Sequence, residues 1–146
     1  MGLDNGIIII PKTERGKDFL ESFYSPELME EAEWKENPWN KEWDFSYWRK
    51  CYNIRNKFLQ EFSDKYDKEK QEINFNFNDI PHIIKVLKYF LKENNWEKDG
   101  CSIWEWHQRI IGIAETIHYF YVLFEDGIYR ERITEEDIEI FFYNSY

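Results

Sequence analysis

The stretch SIWEWHQRIIGIAETIHYFYVLFEDG, Ser102 to Gly127, decides how this chain is read. Ser102 followed three residues later by Glu105 has the spacing of a capping box, in which the hydroxyl accepts from the third helical N–H and the carboxylate reaches back. Apolar residues then recur on nearly every side as far as about Phe124, with Gly127 beyond. That pattern predicts a long helix, the central and most buried of the fold. The alternative is a hairpin from Tyr119 to Ile133 around Asp126-Gly127; the helix is preferred.

Outward from it the signals alternate. Gly6 to Ile10, introduced by Asp4-Asn5-Gly6, reads as a short buried strand, and Gly16 to Tyr24 as a short helix with Phe19, Leu20 and Phe23 on one side. Ser25-Pro26 opens a second helix through about Trp34, and Lys35 to Phe45 reads as an irregular loop. From Ser46 to Ser63, Trp48, Cys51, Tyr52, Arg55, Phe58, Leu59 and Phe62 recur at helical spacing. Asp64 to Glu72 is a charged turn, and Ile73 to Phe77 alternates as a half-buried strand. Asn78 or Asp79 caps a helix with a core stripe of Ile80, Ile83, Ile84, Leu87, Phe90 and Leu91. Thr134 can cap a further turn, and Ile138 to Tyr143 fits strand or helix. The expected architecture is α+β, a mainly helical single domain over 1–146 with a small sheet.

With 146 residues the chain is long enough to bury about 69% of its unfolded surface. No apolar run approaches a membrane span, because Ile7 to Ile10 is followed at once by Pro11 and Lys12. Gly6 stands where a myristoylation signal needs Ser or Thr, and no cleavable signal is visible. Two cysteines, Cys51 and Cys101, make neither a disulfide framework nor a zinc site. The expected setting is cytoplasmic, unanchored and reducing.

The net charge of −10 is unevenly spread. Glu27 to Asp44 and Glu125 to Glu139 each carry seven acids against two bases, whereas Phe45 to Gln60 has four bases and no acid. Such a balance argues against binding polymeric nucleic acid, where Lys and Arg must neutralise phosphates. It leaves two partners: a basic protein groove met by the acidic segments, or a small anion held by a local basic patch. The plain reading of the acidic runs is a solvated surface.

Aromatic residues make up 20% of the chain, and rings beside Arg and Asn suit stacking on a nucleobase while its phosphate is held. Trp48, Tyr52 and Arg55 are placed on one helix face, with Arg49 and Asn53 beside it. Trp104, Trp106 and His107 extend the candidate ligand-binding set. Arg55 on an apolar stripe needs a partner, either structural, such as Glu115, or a ligand phosphate. His107 and His118 are three turns apart with Glu115 one turn before His118. They could do acid–base work, but satisfied core or rim histidines are the plainer reading, and no zinc-type spacing is present. No catalytic residue, metal or cofactor is therefore expected.

The opening Met-Gly-Leu-Asp-Asn-Gly-Ile, the run Tyr47-Trp48-Arg49-Lys50-Cys51-Tyr52-Asn53-Ile54-Arg55, Ser102 to His107, and the ending Phe141-Phe142-Tyr143-Asn144-Ser145-Tyr146 are similar to a group of small proteins of low-GC bacteria and their phages. The resemblance covers most of the chain and carries over no catalytic residue. It implies a phage or prophage accessory protein with a counter-defence role. The leading expectation is capture and sequestration of a small nucleotide-type ligand, a cyclic nucleotide or ADP-ribose-like signal, without turnover. The alternatives are an acidic inhibitor of a host defence effector such as a nuclease, and a small enzyme using His107, Glu115 and His118. A homo-oligomer is expected from so aromatic a surface.

Overall fold

Strand β1 (Asp4–Pro11) is the expected Ile-rich strand, longer at both ends. In this computed structural model residues 4–23, 43–49, 52–92 and 102–145 are described; the expected helix from Pro26 to Trp34, the segment from Lys35 to Glu42 and both cysteines lie outside them. Helix α1 (Glu14–Phe23) starts behind Thr13, whose hydroxyl accepts from the Gly16 N–H at 3.1 Å. Phe19 and Leu20 are buried, as their spacing predicts.

Strand β2 (Trp43–Arg49) is a correction on two counts, since residues 43–45 were expected in a loop and 46–49 in a helix. Its Trp, Phe and Tyr content favours a pleated surface. Trp43-Asp44-Phe45-Ser46-Tyr47 alternates as a strand does, and a register shift between Ile7 and Ile8, where β2 skips Phe45, puts a bulge in its pairing with β1. Helix α2 is accordingly short (Tyr52–Glu61). The charged turn follows, holding β3 (Tyr66–Asp67), and then β4 (Glu72–Phe75), the expected alternating strand, which stops two residues short of the expected Phe77. A single 3₁₀ turn, Phe77–Asp79, capped by Asn76, leads into α3 (Ile80–Lys92). Five of the six expected stripe residues of α3 are buried; Val86 is buried with them, while Leu91 is exposed.

Helix α4 (Ile103–Val122) has the capping box read from the sequence: Ser102 Oγ accepts from Glu105 N–H at 3.2 Å and Glu105 Oε1 accepts from Ser102 N–H at 3.4 Å. It continues as a π-helical stretch, Leu123–Tyr129, and there is no hairpin. It is not the most buried helix. Only Arg109, Ile113, Thr116, Ile117 and Phe120 are buried along it, and large apolar residues lie on its outer side. Apolar content all round a helix does not distinguish a core helix from one with two apolar faces.

Strand β5 (Ile138–Ser145) resolves the ambiguous C-terminal segment. It lies at the centre of an antiparallel sheet of order β2-β1-β5-β4-β3. A strand buried on both faces reads as a continuous apolar run, which is why Ile138 to Tyr143 showed no clean alternation. On one face Ile7 pairs with Phe142 and Ile9 with Ile140; on the other Ile8 pairs with Phe141. The first face joins Ile54 and Phe58 of α2, Phe62 just beyond it, Ile83 and Leu87 of α3, and Ile113 and Phe120 of α4 in one core. The chain is thus a mainly helical α+β fold, and among the described residues no helix is long and apolar enough to cross a membrane.

One buried carboxylate ties α1 to β5. Burial alone would raise the Asp137 carboxyl, but the Thr13 hydroxyl at 2.7 Å, the Thr134 N–H at 2.7 Å and the Thr134 hydroxyl at 3.2 Å, with Arg15 at 3.9 Å, outweigh it and hold it below the ordinary carboxylate value. A group whose folded pKa is lowered stabilises fully above its unfolded value, near 4, and that contribution is lost as pH falls through the folded value. Asp137→Asn is expected to cost about 1.5–3 kcal/mol at pH 7. The gap from wild type should narrow in thermal melts between pH 5 and pH 2; a gap independent of pH would contradict this account.

Candidate functional site

The sequence-derived ligand set divides into two groups. Trp48 and Arg49 lie at the end of β2, at register positions opposite Asn5 and Asp4, whereas Tyr52, Asn53 and Arg55 belong to the first turn of α2. They therefore do not share one helix face, and Arg49 and Asn53 are not one turn apart. One subset lies on a strand and the other on a helix.

Ring packing fixes the direction of α2 on the sheet. Phe58 of α2 stacks on Phe142 at 4.6 Å, and Phe62 meets Phe75 edge-on at 4.9 Å. Phe75 pairs with Ile140, so α2 runs antiparallel over β5 and its first turn heads toward Asn144. Asn144 is buried, sits opposite Asn5, and its carboxamide has no hydrogen-bond partner among the described residues. Arg55 is half-buried and donates to Asn56 Oδ1 at 3.0 Å. The rings that pack there, Phe58 and Phe142, belong to the core.

Trp104, Trp106 and His107 lie elsewhere, in the first turn and a half of α4. Trp104 and His107 are exposed and Trp106 is half-buried. His118 and Glu115 are also exposed on α4, and Glu115 adds to burial in raising the Tyr119 phenol. Among the described residues no three His, Cys, Asp or Glu side chains are grouped to hold a metal ion.

A site that combines cations with rings among the described residues is a groove between α3 and α4 that none of those eight residues lines. It has a volume of about 580 Å³ and is walled by Ile80, Pro81, Ile84, Tyr89, Tyr121 and Phe124, with Lys85, Lys88 and Lys92 along one side. Tyr89, Tyr121 and Phe124 present exposed ring surface to it. Lys88 Nζ donates to the Tyr121 hydroxyl at 2.6 Å and stands 5.1 Å from the centre of that ring. Lys57 lies 4.6 Å from the Tyr89 ring centre and pairs with Glu61 at 3.2 Å. The Lys57 hydrogen bond, opposed by burial and assisted by His82, holds the Glu61 carboxyl below its ordinary range. By contrast, Lys85, Lys88 and Lys92 have no carboxylate partner among the described residues.

Spacing explains the groove. Residues 85, 88 and 92 fall on one side of α3, next to the stripe that enters the core. Ile80 to Lys92 contains three lysines and no acid, the same criterion that singled out Phe45 to Gln60. That signal was available in the sequence, but the strong core stripe masked it.

The C-terminal acidic segment is partly committed to the fold. Asp137 is buried in its clasp, Glu135 accepts from the Phe77 N–H at 2.7 Å, and Asp126 pairs with Arg130 at 3.9 Å. Most of Glu27 to Asp44 lies outside the described residues. Comparison with protein-family models, curated proteins and solved structures gave no match.

Proposed function

We propose that the chain captures a small nucleotide-type anion, without turning it over, in the groove between α3 and α4. The observation that carries this reading is three lysines without acidic partners among the described residues, beside exposed tyrosine and phenylalanine rings, in a protein of net charge −10. Rings accept a nucleobase face and ammonium groups its phosphate, while the surrounding acidity repels longer polyanions. A volume of about 580 Å³ suits a ligand of mono- or dinucleotide size. On the resemblance read from the sequence alone, the proposed role is that of a counter-defence sponge that sequesters a cyclic nucleotide or ADP-ribose-like immune signal in the host cytoplasm.

Native mass spectrometry against a panel of cyclic mono-, di- and trinucleotides and ADP-ribose derivatives tests this directly. One class should bind stoichiometrically, be recovered intact, and raise the melting temperature, since a ligand at 100 times its Kd stabilises the folded state by about 2.7 kcal/mol. Lys88→Glu and Lys85→Glu should each weaken binding roughly 10- to 100-fold, the loss of one charge-assisted contact. Lys68→Glu, on the exposed turn after β3, should leave it unchanged. No mass shift across the panel would overturn the sponge in favour of the acidic protein inhibitor. Recovery of a converted ligand would favour the enzyme.

A further inference from the structure

The outer side of α4 carries a second apolar seam. Trp104, His107, Ile111, Ala114, His118 and Tyr121 follow one another at alternating spacings of three and four, on the side opposite buried Arg109, Ile113 and Phe120. Trp104 is 70% exposed, Ile111 50% and Tyr121 40%, and neighbouring Ile103 is 60% exposed. The seam contains no carboxylate and no lysine.

Its order is self-complementary. About a two-fold axis between residues 112 and 113, an antiparallel copy places Trp104 against Tyr121, His107 against His118, and Ile111 against Ala114. Each large residue then meets a smaller or equal one, and the small Ala114 lets the helices approach near the axis. On the flank Gln108 stands across from Glu115, an amide against a carboxylate rather than two like charges. The four exposed apolar side chains offer on the order of 450 Å² per copy. With the flanking residues of two helices each about 30 Å long, the pair reaches the ~1,000 Å² required of a specific interface.

We propose that a second copy of this chain docks antiparallel along the outer side of α4, so that the partner's Trp104 closes over Tyr121 at the mouth of the ligand groove. The seam is continuous with the groove because Tyr121 belongs to both. The closing role of Trp104 rests on the groove being the ligand site; the dimer does not.

Sedimentation of the full chain without nucleotide tests the dimer alone. At tens of micromolar it should sediment at twice its 18.2 kDa, and Ile111→Glu or Ala114→Glu should weaken association more than 100-fold. Both positions are exposed, and circular dichroism checks that each variant remains folded. A wild-type monomer at 200 µM, or a dimer that survives both substitutions, overturns the proposal. Orientation is read by cross-linking in a Cys51→Ser/Cys101→Ser background. Trp104→Cys with Tyr121→Cys should form a disulfide-linked dimer, whereas Trp104→Cys alone should not, because the two copies of residue 104 stand about 25 Å apart. Efficient linkage through Trp104→Cys alone would mean parallel packing and overturn the antiparallel seam. If the dimer holds and a groove ligand is found, Trp104→Ala should weaken retention about 10-fold. An unchanged affinity would remove the closing role while leaving the ligand site intact.

Discussion

Phe142→Ala is expected to lose about 3–5 kcal/mol of stability, enough to lower the melting temperature by roughly 6–20 °C. Phe142 is fully buried in β5, paired on one side with Ile7 of β1 and on the other with Ile73 of β4. Phe58 of α2 stacks on its ring at 4.6 Å with the planes 16° apart. Removing the ring therefore opens a cavity where three strands and a helix meet, and a β-sheet backbone cannot close it by moving one element. Phe124→Ala, at the exposed groove, serves as the control and should cost under about 1 kcal/mol. Urea unfolding separates the two; comparable losses would mean that the sheet face is not where the stability lies.

The same residue shows where sequence reading stops. Features set by neighbours in the chain were visible: the Ser102–Glu105 capping box, the Ile-rich β1, the α3 stripe and the alternation in β4. Features set by long-range pairing were not. Nothing local in Ile138 to Ser145 says that β1 will flank it on one side and β4 on the other, although that pairing makes it a strand. In β2, Trp48 happens to stand at helical spacing from Cys51, Tyr52 and Arg55, so a strand and a short helix read as one long helix. The candidate site followed the same pattern. The expected pairing of cations with rings was drawn from a helix face that does not exist, whereas Lys85, Lys88 and Lys92 lie beside rings on one that does.

Gly16→Ala should be the most damaging small substitution in the described structure, costing about 3 kcal/mol or more. In an unconstrained helix this exchange stabilises by about 0.5–1 kcal/mol, because alanine loses less backbone freedom on folding. Here packing reverses the sign. A Cβ on Gly16 would lie 2.0 Å from the Asp137 carbonyl oxygen and 2.8 Å from its carbon, and those are backbone atoms. Asp137 cannot retreat, since its carbonyl accepts from the Lys12 N–H at 2.8 Å and its carboxylate is held by Thr13 and Thr134. The added methyl must therefore push α1 away from the start of the central strand, breaking the clasp that the same carboxylate makes pH-sensitive. Gly127 offers the comparison: a Cβ there would meet the tip of the Phe19 ring at 2.8 Å and the Ile133 side chain at 3.1 Å, side-chain rather than backbone atoms. Gly127→Ala should cost nearer 1 kcal/mol, and the order of the two variants in urea midpoints tests whether it is backbone contact that fixes α1 on β5. If Gly16→Ala proved neutral, α1 would be free to shift on the sheet, and the Asp137 clasp would be a consequence of that packing rather than its cause.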